Sequence, residues 1–280
     1  MLKTRFALPF VAFCIGSLSG GPQALATDCA KPVDFLTLSL TKTSNPVHDA
    51  LTQAYPGLTI KAGAVHLVTG EVVPLEGPRK VSKPERLENA TIGDMFVYRY
   101  PLDFSLEQRK TPFHDPGRVR NEAFFRALMF DNKSATRKSL TTVRYRGAKL
   151  TANFSVTKKH CVHTQLAAAL EEIALQKPSR DKYFRKIGGS FNWRVISGTK
   201  RLSSHSFGSA VDVNSQLGKY WKWLGVKPGK AARYDNAIPH EIVEAFERRG
   251  FIWGGKWHHF DGMHFEYRPE LILYARLMGQ

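Results

Sequence analysis

Ser203-Ser204-His205-Ser206-Phe207-Gly208-Ser209-Ala210-Val211-Asp212-Val213-Asn214 and, nearer the C-terminus, Asp261-Gly262-Met263-His264-Phe265-Glu266 are the stretches on which the reading of this chain turns. From Phe207 to Asn214 polar residues alternate with small or apolar ones. A strand here places Ala210, Asp212 and Asn214 on one face and Val211 and Val213 on the other. His205 precedes that strand on a turn loosened by Gly208. Together the stretches carry two imidazoles and three carboxylates with almost no competing cysteine. That is the inventory of a catalytic zinc site, which needs three protein ligands and one position open to water. His205, Asp212 and His264 can supply the ligands, with Asp261 or Glu266 as the base.

On the first stretch alone, a hydrogen-bonded His205–Asp212 pair accounts for the residues as well as a metal does. The second stretch shifts that balance. His264 sits between apolar Met263 and Phe265, and such a residue faces inward only when something satisfies it. Glu266 shares its strand face and reads as a base, a partner to an imidazole or a fourth ligand. His258 and His259 compete for ligation, but adjacent side chains diverge in extended structure. His160, His163, His48 and His66 read as ordinary surface or core residues.

Outward from these stretches the pattern predicts an α+β fold, with a small antiparallel sheet carrying the site, helices flanking it and an N-terminal accessory segment. Strands are expected at Leu140 to Tyr145 and Leu150 to Thr157, joined by a turn at Arg146-Gly147. Helical spacing covers Asn121 to Phe130, with Ala123, Phe124, Ala127 and Leu128 on the apolar side. A longer helix, capped by Thr164, runs to about Gln176 over Leu166, Leu170, Ile173 and Ala174. Pro239 opens another over Glu241 to Arg249, which Gly250 stops. Before Asp115-Pro116-Gly117 only a short helix at Asp49 to Ala54 and one or two strands between Ile60 and Pro74 stand out. All five tryptophans fall between Trp193 and Trp257, as core with one or two rings left to wall a groove.

The chain opens on Lys3 and Arg5, an apolar run from Phe6 to Leu18 and Ala24-Leu25-Ala26, the pattern of a secretory signal cleaved after Ala26. No stretch reaches the ~20 apolar residues of a transmembrane helix. The expected organisation is a signal at 1–26, an accessory segment at 27–110 and a domain carrying the candidate zinc site at 111–280, exported to the periplasm or beyond the cell. With 41 Lys and Arg against 24 Asp and Glu, the net charge is +17. A surface so basic favours a polyanionic neighbour, and export makes nucleic acid the poorest fit. Cys14 leaves with the signal. Cys29 and Cys161 then either form one disulfide or stay as buried thiols.

Ser203-x-His205-x-x-Gly208-x-Ala210-x-Asp212 followed by Asp261-x-x-His264-Phe265 resembles the signature of the zinc-dependent D-alanyl-D-alanine carboxypeptidases and L-alanyl-D-glutamate endopeptidases. This family, with the Hedgehog/DD-peptidase fold, includes the VanY-type enzymes and several phage endolysins. Gly250-Phe251-x-Trp253-Gly254-Gly255-x-Trp257 resembles its lead-in to the second motif, and Asp115-Pro116-Gly117-Arg118 resembles a longer exported subgroup. The resemblance covers about residues 160–270. It implies one zinc ion held by His205, Asp212 and His264, with Asp261 as general base. It also implies that Arg194 steadies an anionic intermediate or a substrate carboxylate, against the plainer reading of a surface salt bridge. Ser203, Glu266 and Trp257 would stand beside the substrate or behind the ligands. The implied activity is hydrolysis of peptide bonds in peptidoglycan stem peptides, at either D-Ala-D-Ala or L-Ala-D-Glu. A wall-binding protein that keeps zinc without turnover is the alternative, and the intact Asp261 argues against it.

Overall fold

Residues 29–279 are described in a computed structural model. The expected signal segment and its cleavage point lie outside them. Helix α1 (Pro46–Ala54) starts earlier than Asp49, because Asn45 accepts the His48 N–H as a cap and Pro46 occupies the first turn. Strands β1 (Thr59–Lys61), β2 (Ala64–His66) and β3 (Val72–Pro74) form an antiparallel meander. The third strand exists because Ala62 and Gly63, both at positive φ, make a tight turn that the pattern did not announce. Helix α2 (Lys83–Glu88) follows.

In α3 (Glu122–Leu128), capped by Asn121, the buried side is Phe124, Phe125 and Leu128, and the expected Ala123 is exposed. After α4 (Lys133–Ser139), β4 (Leu140–Arg146) and β5 (Thr151–Thr157) pair as the expected hairpin. Helix α5 (Val162–Leu175) lies against it through Val162, Leu166, Ala169, Leu170 and Ile173. Thr164 is not its cap. The helix begins directly after Cys161, which holds a left-handed conformation, and Thr164 donates its hydroxyl to the Cys29 carbonyl at 2.9 Å. Cys29 and Cys161 are joined by a disulfide.

The remaining elements are β6 (Ile187–Gly189), β7 (Ala210–Asn214), α6 (Ser215–Gly218), α7 (His240–Arg248), β8 (Phe251–Trp253), β9 (His264–Tyr267) and α8 (Pro269–Leu277). They build an antiparallel sheet in the order β6-β7-β9-β8. One face is apolar: Val211, Val213 and Phe265 are fully buried, and Phe246 of α7 stacks on Phe265 with ring centroids 4.0 Å apart. Each such side chain contributes about 1.5–3 kcal/mol of burial, so this face holds the sheet and frees the other for polar groups. The architecture is α+β.

Residues 29–110 contact this sheet and its helices. Helix α1 packs along α8, and the Tyr55 hydroxyl donates to Glu270. Arg109, buried, donates to the carbonyls of Ala231, Ala232, Trp257 and His258. Among the described residues no helix is long and apolar enough to cross a membrane.

Candidate metal centre

Strand register builds the centre. In the β7–β9 pair Ala210 faces Glu266, Val211 faces Phe265 and Asp212 faces His264. Directly opposed residues have Cβ atoms about 4.5–5.5 Å apart. Asp212 Oδ1 accordingly lies 2.9 Å from His264 Nδ1, and a slip of one residue would turn both side chains to the wrong face. His205 arrives from the 3-10 turn Ser204–Phe207, which Gly208 at φ +66° redirects into β7. Its Nε2 is 3.1 Å from His264 Nδ1 and 3.2 Å from Asp212 Oδ1.

The outward ring nitrogens decide what these inward atoms are. His205 Nδ1–H donates to the Ser190 carbonyl at 2.6 Å. His264 Nε2–H donates to Glu266 Oε2 at 3.1 Å and lies 3.2 Å from Ser204 Oγ. With those protons placed outward, His205 Nε2 and His264 Nδ1 present lone pairs, and both face a carboxylate oxygen. Three acceptors converging with no donor between them fit a cation. The separations are close to the ~3.4 Å edge of a tetrahedron with bonds of about 2.0–2.1 Å. A proton on His264 is the competing solution. Burial works against that proton, but hydrogen bonds to Asp212 and Glu266 outweigh it and push the ring's pKa up to about 10. Burial likewise opposes the Asp212 charge, yet His205 and His264 hold its carboxyl well below the usual range. His205, Asp212 and His264 form the one such group of three ligating residues found among the described residues.

The cluster lies in the wall of a cavity of about 350 Å3 that Asp261, Arg194, Ser203, Glu266 and Trp257 also line. Asp261 is held by backbone bonds from its N–H to Gly254 and from the His264 N–H to its carbonyl. Its Oδ1 is buried without a hydrogen-bond partner. Burial first, and the Asp212 charge second, push its pKa up to about 6. Arg194 is exposed and makes no ion pair among the described residues. Its backbone is fixed by Ser206 Oγ and the Ser203 N–H. Trp257 is buried, 5.6 Å from the His264 ring by centroids, with the Arg118 guanidinium over it.

Glu266 stands behind His264. Its Oε2 accepts from His264 and Arg120, its Oε1 from Arg268, and these partners overcome burial to hold the carboxyl far below its ordinary range. The competing histidines lie apart from the cluster. His258 is bonded at both nitrogens, to the Arg109 carbonyl and the Ala231 N–H, and His259 to Asp115 and the Gly229 N–H. His160 bonds the Leu128 carbonyl. Sequence reasoning missed Ser204, Arg118, Arg120, Arg201 and Tyr220, all on the cavity wall. The Arg118-Val119-Arg120 alternation was the one available signal.

A family model described as D-alanyl-D-alanine carboxypeptidase matches residues 197–267, the span that contains His205, Asp212, Asp261 and His264. No curated protein and no solved structure matches the chain. Over that segment, about a quarter of the chain, the protein is similar to the peptidases of that family.

Proposed function

We propose that this chain is an exported zinc metallopeptidase that hydrolyses peptide bonds in peptidoglycan stem peptides. The observation that carries this reading is the convergence of His205 Nε2, Asp212 Oδ1 and His264 Nδ1 in one open cavity that the Asp261 carboxylate also lines. Zinc held by the three ligands would supply a Lewis acid and bring water into its ionised form near neutral pH. Asp261, whose carboxylate lines the same cavity, takes the proton of the attacking water and passes it to the leaving amine. Arg194, uncommitted at the cavity edge, faces the developing oxyanion. Glu266 keeps the His264 proton on Nε2 so that Nδ1 stays free for the metal. The family match to a D-alanyl-D-alanine carboxypeptidase model supports both substrate class and reaction.

Incubation of the mature protein with muropeptides, with and without chelator, tests this by mass spectrometry of the products. Loss of one amino acid from the stem, or scission within it, is expected only without chelator. Absence of cleavage by protein shown to carry one zinc per chain overturns the peptidase and leaves the wall-binding alternative.

A further inference from the structure

Four arginines line the cavity beside the cluster: Arg118, Arg120, Arg194 and Arg201. Arg120 is committed to Glu266 and the Leu202 carbonyl. Arg118 and Arg201 are not fully used. Arg118 donates through Nε to the His259 carbonyl, while its Nη2 is buried without a partner. Arg201, only 8% exposed, donates through Nη1 to the Arg118 carbonyl, and its Nε is likewise buried and unpartnered. The nearest carboxylate, Glu88, stands 3.9 Å from that Nε with its side chain 41% exposed. Native proteins rarely leave buried charged donors unpaired.

Both guanidiniums lie where two cavities meet. A second cavity of about 330 Å3 shares Arg118, Ile196, Ser197, Arg201 and Tyr220 with the first, so the two adjoin as neighbouring parts of a groove along these residues. Beyond the arginines its walls are largely apolar, with Leu87 of α2, Phe113 and Trp221. Leu87 and Phe113 come from outside the segment 197–267, so this part of the groove belongs to the longer chain. We propose that Arg118 and Arg201 form a carboxylate-binding subsite at the junction, holding a free carboxylate of the peptide while its chain continues over Leu87, Phe113 and Trp221. Two guanidiniums lining one junction offer N–H donors of the kind that a planar carboxylate accepts on both its oxygens. Arg201 stays cationic at neutral pH, although burial and then the Arg120 charge bring its pKa down to about 10.

The identity of the ligand rests on the peptidase reading; the existence of the subsite does not. Two pairs of peptides test it: a stem tetrapeptide with the glutamyl α-carboxylate free or amidated, and a pentapeptide ending in D-Ala-D-Ala with its C-terminus free or amidated. Binding is measured by calorimetry on zinc-loaded Asp261→Asn protein, and KM on the wild type. Amidation of one of the two carboxylates is expected to weaken binding about 10- to 100-fold, and the affected pair identifies which carboxylate is held. Arg201→Lys and Arg118→Lys, which keep charge but lose the planar fork, are expected to erase most of that difference. Equal affinity for acid and amide in both pairs, or no binding of any peptide, overturns the subsite even if wild type cleaves. Discrimination without cleavage leaves the subsite standing and overturns the peptidase.

Discussion

His264 Nε2 lies 3.1 Å from Glu266 Oε2, on the opposite side of the ring from the Nδ1 that meets Asp212 at 2.9 Å. The carboxylate thereby sets the tautomer of the ring. Glu266 is itself clamped by Arg120 and Arg268, both almost fully buried. Glu266→Gln keeps the shape but weakens the acceptor, so zinc affinity measured by chelator competition should fall about 10- to 100-fold. Glu266→Ala also leaves two buried cations short of a partner, and urea denaturation should show a further loss of about 3–5 kcal/mol.

Asp261 supplies no atom to the three-ligand cluster. Asp261→Asn should therefore retain its zinc, as metal analysis of the purified protein would show, while kcat on muropeptides drops by about 10²- to 10⁴-fold. Loss of the metal together with activity would instead make this carboxylate a ligand.

Gly218 ends α6 against the backbone of the second motif. A Cβ there would come within 2.2 Å of the Met263 nitrogen, a contact that only backbone movement relieves. Gly218→Ala should displace the 261–264 segment, lowering zinc affinity and activity together. Gly225 has nothing within 4 Å of a Cβ and sits far less tightly, so Gly225→Ala, strained only by its φ of +66°, should leave zinc affinity unchanged.

The alternation from Ala210 to Asn214 was enough to put Asp212 on the polar face, and Glu266 was correctly placed two positions along from His264. That Asp212 stands directly opposite His264 was not legible, because register between β7 and β9 is a tertiary property set by the apolar face packed under α7. Arg118, Arg120 and Arg201 escaped for the same reason: nothing local says that Arg120 will reach Glu266 across 146 positions. Thr164 misled because a threonine before an apolar run is the usual cap. Here Cys161 starts the helix three residues earlier and Thr164 is drawn to the Cys29 carbonyl. Local pattern thus pointed to the three candidate ligands, while the second half of the groove depended on contacts that only the folded chain makes.

The Cys29–Cys161 bond closes a loop of 132 positions. Cross-links over long loops restrict the unfolded chain most, although measured gains scatter. Cys29→Ser with Cys161→Ser, or reduction of the wild type, should lower unfolding free energy by about 2–5 kcal/mol in urea titration. The cluster lies apart from this bond, so zinc affinity under native conditions should be unaffected.

His160 predicts how stability depends on pH. Its ring is packed against Tyr55 and its Nε2–H donates to the Leu128 carbonyl. Burial lowers its pKa to about 4 from the ordinary 6.5. The unfolded chain therefore binds the proton more readily than the folded one between these values. The contribution is fully present above pH 6.5, declines as pH falls towards 4 and is flat below, amounting to on the order of 2 kcal/mol once residual solvent contact is allowed for. His160→Gln keeps a donor for Leu128 and removes the titration. Urea midpoints measured from pH 7.5 to 4 should fall more steeply for the wild type than for this variant, and parallel curves would assign the acid sensitivity to other groups.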